Sequence, residues 1–126
     1  MRTAERTLQA IRKDPNCLMA RSVEKWVPVI KVRKDLFGAD VQALFEGHVL
    51  AVQATSLSGL KPHVKDAVAS HEVSCWLIAG QRFEVWGWRK LGHRWKARRV
   101  EIVLMGVGVG TMTTKVPISL ERGEYP

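Results

Sequence analysis

Asp40 and Gln53 are the residues whose types and spacing point most directly to chemistry. Asp40 heads a short apolar segment, Val41–Phe45, and Gln53 lies near the end of the next, His48–Thr55. Glu46-Gly47 between them is a turn signal, so Val41–Thr55 is predicted to fold as a β-hairpin. Side chains alternate along a strand, which puts Gln53 and Thr55 on one face and Val52 and Ala54 on the other. The hairpin then brings together the Asp40 carboxylate, the Gln53 amide oxygen and the backbone carbonyl of Ala54. These are hard oxygen donors that suit Mg²⁺ or Mn²⁺. Asp35, five residues before Asp40, offers a second carboxylate. An ion held there activates water and stabilises the charge that develops on a phosphodiester. Each residue also has an ordinary reading, Asp40 as a turn aspartate and Gln53 as a buried amide bonded to backbone. The polar pair Gln53 and Thr55, closing the apolar run Val49–Val52 beside a second polar strand start, favours the chemical one.

The elements that must position these residues follow from periodicity. Ala4, Leu8 and Ile11 recur at helical spacing within Arg2–Lys13, and Asp14-Pro15-Asn16 stops that helix. Cys17–Lys34 is mixed in pattern, with Trp26–Val32 reading as a strand that carries an edge or bulge proline, Pro28. Lys34–Asp40 reads as a loop. A second helix is expected over Lys61–His71, with Pro62 in its first turn. Ser74–Ala79 is a nearly continuous apolar run, the pattern of a strand covered on both faces after a crossover helix. Arg82–Lys90 alternates and Arg94–Leu104 makes a further strand. The predicted order is helix, three strands, helix, three strands. That is an α/β architecture, a mixed central sheet flanked by helices with one right-handed crossover. One domain is expected over residues 1–104. Residues 105–126, with Gly106, Gly108 and Gly110, read as a tail that is flexible or meets a partner chain.

Composition narrows the class. The chain has 126 residues, 46% of them hydrophobic and 25% charged, which fits one globular domain with a core of its own. Twenty Lys and Arg face twelve Asp and Glu, a formal charge of +8 that favours polyanionic partners. Cys17 and Cys75 form no C-x-x-C pair, so neither a disulfide framework nor a zinc site is expected. No apolar run is long enough to cross a bilayer and the first residues lack a signal-peptide core, so a cytoplasmic, intracellular protein is expected. His48, His63, His71 and His93 lack metal-site spacing and read as surface or turn residues. With no P-loop, dinucleotide fingerprint or nucleophile elbow, no organic cofactor is expected.

The basic residues cluster. Arg82, Arg89, Lys90, Arg94, Lys96, Arg98 and Arg99 interleave with Phe83, Trp86, Trp88 and Trp95. Arg and Lys bind phosphates, and exposed aromatic rings stack on unpaired bases. With Arg33 and Lys34, Arg82, Arg89, Lys90, Arg94, Lys96 and Arg98 are the candidate DNA contacts. The tryptophans read first as core or interface residues, since large aromatics dominate both. Trp86 and Trp88 should share one strand face, with Phe83 and Val85 on the other.

Gly38-Ala39-Asp40-Val41-Gln42-Ala43-Leu44 and Val49-Leu50-Ala51-Val52-Gln53-Ala54-Thr55-Ser56 resemble the paired strands at the core of the PD-(D/E)XK nuclease superfamily. The likeness is strongest to its small Holliday-junction-resolvase-like phage and archaeal members. Val85-Trp86-Gly87-Trp88-Arg89-Lys90 and Arg94-Trp95 are similar to a group of phage and bacterial proteins of this type. The resemblance covers roughly residues 2–104. It implies a restriction-endonuclease-like core and a Mg²⁺-dependent DNA endonuclease that acts on branched or duplex DNA in recombination, as a homodimer, and that is encoded by a phage or its host. It implies Asp40, Gln53 and the Ala54 carbonyl as metal ligands, with Asp35 assisting, and Glu5 as the acid of the first helix. The chain departs from the pattern twice. Gln53 stands where the family has Glu or Asp, and Thr55 stands where it has Lys. Lys61 or Lys65, on the following helix, is the candidate to supply the missing positive charge. Two alternatives remain open: a catalytically inactive DNA-binding protein on the same fold, and an assembly protein that uses its tryptophan-rich strands as an interface.

Overall fold

The computed structural model describes residues 1–27, 32–34 and 38–125. Helix α1, Thr3–Arg12, is followed by strand β1, Cys17–Ser22, and by a small hairpin of β2, Lys25–Val27, and β3, Val32–Lys34. Strands β4, Val41–Phe45, and β5, His48–Ser56, come next. A 3₁₀ turn, Leu57–Gly59, leads into helix α2, Leu60–Ala69, and helix α3, His71–Ile78. Three strands close the chain: β6, Arg82–Leu91, β7, Arg94–Val109, and β8, Met112–Tyr125. The main sheet has six strands in the order β1-β4-β5-β6-β7-β8, mixed, because β5 and β6 run parallel while the other neighbours are antiparallel. The expected class, α/β with a mixed sheet flanked by helices, is the one observed. Among the described residues no helix is long and apolar enough to cross a membrane.

Alternation along the strands divides the core in two. Val41, Ala43, Leu50, Val52, Trp86, Trp88 and Ala97 face α1, where Ala10 and Ile11 meet them. Ala51, Phe83, Val85, Val100 and Ile102 face the other way, against Leu60 and Ala67 of α2 and Val73 and Leu77 of α3. The split of Trp86 and Trp88 from Phe83 and Val85 is the one the strand period predicts. Both tryptophans are core residues, at 2% and 4% exposed, and so are closed to base stacking. Trp88 Nε1 donates to Thr7 Oγ1 at 2.8 Å, which ties α1 to the sheet.

Three expectations are corrected. Ser74–Ala79 is not a strand; it falls in α3 and the residue just after it. An apolar run of that length does not distinguish a buried strand from a buried helix. The cues lie in its flank: Ser70 caps the helix by accepting from Val73 N at 3.2 Å, and Val73 and Leu77, four apart, are the residues buried. The role of a strand covered on both faces passes to β6, which is buried continuously from Phe83 to Trp88. Secondly, Cys17–Lys34 holds a full strand, β1, which its mixed pattern conceals, and Trp26–Val32 is not one strand; residues 28–31 lie outside the described part. Thirdly, residues 105–125 are no loose tail. β7 runs on through Val109, and β8 returns along it from Val109↔Met112 to Ala97↔Tyr125, with one register shift between Val100 and Arg99. Gly110, at φ +63°, makes the turn.

Capping gives a test of α3. Ser70→Ala should cost about 1 kcal/mol of stability by urea denaturation. A neutral result would favour an extended 71–78 segment.

Candidate active site

The site grows out of the β4–β5 register. The ladder ends at Val41↔Val52, and Asp40, one residue earlier, lies just beyond it against Val52 and Ala54. Its backbone is held on both sides: Asp40 N donates to Val52 O at 2.9 Å, and Val23 N donates to Asp40 O at 2.9 Å. The carboxylate is 5% exposed, and its Oδ2 accepts from Ala54 N at 2.6 Å. A bond this short fixes the side chain as well as the backbone. The predicted meeting of Asp40 with the Gln53-Ala54 segment is therefore present. Gly38 lets it close. At φ +85° it takes a conformation side chains avoid, and a Cβ there would lie 3.5–3.6 Å from the Gln53 amide group.

Thr55 lies beyond Gln53 on the same face and is 8% exposed. The 3₁₀ turn roofs it: a Cβ on Gly59 would come within 2.3 Å of Thr55 Oγ1. A lysine side chain in that place would have to displace the turn. His63, expected at the surface, is half-buried in the first turns of α2. Its Nδ1 lies 2.7 Å from the Gly59 carbonyl, which can only accept, so Nδ1 carries the proton and Nε2 is left as the acceptor in the neutral ring. Sequence reasoning missed this residue because no spacing rule links it to Thr55; only the turn does.

Other predicted residues do not gather here. Glu5 is exposed on α1, which packs on the Val52 face, whereas Gln53 alternates onto the opposite one. Lys61 and Lys65 are exposed, four residues apart on α2. Asp35 lies outside the described residues, as do the side chains of Arg33 and Lys34. A carboxylate the sequence did not flag does come close along the chain. Glu24 follows Val23, the residue bonded to Asp40, and it pairs with Arg2 of α1. Among the described residues no three His, Cys, Asp or Glu side chains are grouped to hold a metal ion. What meets at Asp40 is a single carboxylate with the Ala54 backbone amide.

The basic segment divides. Arg82 pairs with Glu101 at 3.0 Å, Arg89 with Glu124 at 2.5 Å, and Arg98 with Glu121. Arg99 grips buried Glu84 through two bonds of 2.9 and 3.1 Å, and Trp86 Nε1 adds a third. Arg122 joins Arg82 on Glu101. Three of the candidate DNA contacts, Arg82, Arg89 and Arg98, are thus engaged within the chain. Lys90, Arg94 and Lys96, around the β6–β7 turn, form no ion pair among the described residues. Burial pushes the Glu101 carboxyl up, but hydrogen bonds from Arg82 and Arg122 more than reverse this and hold it below the ordinary range. The Glu101 hydrogen bond in turn raises Arg82.

No protein-family model matches the chain, and no curated protein or solved structure matches it.

Two outcomes follow. Gly59→Ala should destabilise the fold by roughly 1–3 kcal/mol through overpacking on Thr55, and Thr55→Ala in the same chain should recover most of that loss in urea denaturation. For Glu101, whose folded value lies below its unfolded one, the ion-pair contribution is complete above the ordinary carboxyl value of 4.5 and is lost as pH falls through the lower folded value. Glu101→Gln should cost about 2 kcal/mol at neutral pH, less than a fully buried pair because Arg82 and Arg122 are each 41% exposed, and it should flatten the acid dependence of the urea midpoint.

Proposed function

We propose that the chain is a divalent-metal-dependent DNA endonuclease with a PD-(D/E)XK-type core. The observation that carries this reading is the convergence of the buried Asp40 carboxylate on the Ala54 amide, beside Gln53. The succession around it lends support. Helix α1 is followed by β1, by the small β2–β3 pair and by the β4–β5 hairpin, then by helices that cross over to β6, parallel to β5. The helix, hairpin and crossover are those the resemblance implies. Open α/β sheets also bind ligands beyond the carboxyl ends of their parallel strands, and Gln53 and Ala54 lie near that end of β5.

In this reading Asp40, the Gln53 amide oxygen and the Ala54 carbonyl would hold Mg²⁺ or Mn²⁺, and such an ion would supply Lewis acidity. Asp40 brings the negative charge and Gln53 a neutral ligand. Lys61 and Lys65 offer positive charge to the phosphate from α2, and His63 offers a ring nitrogen nearer the sheet. Water oxygen bonds to phosphorus as the bond to the leaving sugar oxygen breaks. The substrate is DNA, duplex or branched, and the active form a homodimer.

The roof over Thr55 supports the second reading, a DNA-binding protein without catalysis, because it closes the place where the family carries its lysine. Incubation with a four-way junction and a linear duplex, in Mg²⁺, Mn²⁺ or EDTA, separates the two. Metal-dependent cleavage is expected, and Asp40→Asn should reduce it more than ~100-fold while DNA binding persists. Binding without cleavage under every condition would favour the non-catalytic protein, and full activity in Asp40→Asn would place the centre elsewhere.

A further inference from the structure

The internal ion pairs decide where the positive charge of this chain is available. Arg82, Arg99 and Arg122 are held by Glu84 and Glu101, and Arg89 and Arg98 by Glu124 and Glu121. At the far end of β6 and β7 lies a cleft of about 370 Å³ between α1 and the sheet, with no acidic residue in its lining. Arg6, Gln9 and Lys13 of α1 form one wall, and Trp88, Trp95 and Tyr125 the other.

Trp95 differs from the core tryptophans. It is 40% exposed, whereas Trp86 and Trp88 are almost wholly buried. The Arg6 guanidinium carbon lies 3.8 Å from the centre of the Trp95 ring and 5.9 Å from that of Trp88, so the cation is stacked in place between two indoles. Lys90 pairs with Trp95 across β6–β7, which puts both on one sheet face, and it is exposed. Lys13, two helical turns beyond Arg6, is exposed at the other end of the cleft. An accessible aromatic ring with cations on both flanks is the combination that binds single strands: the ring takes a base of any identity, and the cations take the phosphates beside it.

We propose that the Trp95 cleft binds an unpaired segment of DNA, with one base stacked on Trp95 and its flanking phosphates on Arg6, Lys13 and Lys90. The inference rests on the reading of the chain as a DNA-binding protein and adds to it a preference for unpaired strand. Gln53 pairs with Val85; Lys90, five residues farther along β6, pairs with Trp95 on β7, two strands from β5, which puts Trp95 roughly 20 Å from Gln53 by strand geometry. The cleft and the Asp40 site are on opposite faces of the sheet but toward the same end, so an extended strand that passes round this end reaches both.

Fluorescence anisotropy in EDTA, with a labelled single-stranded oligonucleotide and a labelled blunt duplex of the same sequence, tests the proposal without cleavage. Trp95→Ala should weaken single-strand binding by about 5- to 140-fold, the equivalent of 1–3 kcal/mol for one stacked base, and should change duplex binding less than about twofold. Trp95→Phe, which keeps a ring, should recover most of the single-strand affinity. Unchanged single-strand binding in Trp95→Ala would overturn the proposal. So would an equal loss on both DNAs, which marks a general effect on fold or charge, or a Trp95→Phe variant as weak as Trp95→Ala. A wild-type chain that binds neither DNA would overturn the DNA-binding reading and this inference together, whereas a wild-type chain that binds duplex, and whose single-strand binding is indifferent to Trp95, would overturn this inference alone.

Discussion

The parallel ladder between β5 and β6, from Leu50↔Arg82 to Ser56↔Trp88, is the constraint on which the remaining structure depends. Parallel strands cannot be joined by a tight turn and are stable only when both faces are covered. The first requirement creates the crossover through α2 and α3; the second places α1 on the opposite face. It also sets the composition of β6, whose six consecutive buried residues include two tryptophans and a glutamate. Gly87 belongs to the same constraint. A Cβ there would lie 3.0 Å from Leu60 Cβ, so only glycine lets the crossover settle onto the sheet at this depth. Asp40 and Gln53 inherit their positions from this arrangement, because β4 is aligned on β5 and β5 on β6.

Charge is organised on the same scaffold. Glu84 and Glu101 stand opposite each other across β6–β7, nearly free of solvent. Two buried carboxylates side by side are tolerable only with cations bonded to them, and Arg82, Arg99 and Arg122 fill that role. Part of the excess of basic residues is therefore structural. Net charge alone overstates the surface a polyanion would meet, and among the described residues the unpaired positive charge is concentrated around the β6–β7 turn.

How legible all this was in the sequence depends on the kind of signal. The β4–β5 hairpin was readable because Glu46-Gly47 fixes the turn and alternation fixes the faces; the approach of Asp40 to the end of β5, seen in its bond from Ala54 N, followed. The faces of Trp86, Trp88, Phe83 and Val85 followed likewise. Ser74–Ala79 was misread because continuous apolarity has no period, and β1 was missed because only Ala20 in Cys17–Ser22 is buried. Long-range partners left no local trace. Neither the arginine partners of Glu84 and Glu101 nor the roof of Gly59 over Thr55 could be inferred from spacing, since each depends on strands or turns brought together by the fold. Glu5, though rightly placed on a helix, faces away from Gln53 for the same reason.

The last hairpin extends farther than the sheet that supports it. β6 pairs with β7 only as far as Phe83↔Ile102, yet β7 and β8 stay paired out to Val109↔Met112. Met105, Val107 and Met112 are exposed on this ribbon. Two strands without a third are marginal in water, because each residue is fixed for half the ladder and little buried area. The ribbon is thus expected to exchange its amides ahead of the layered sheet, which would give the molecule a lower threshold of order at its projecting end.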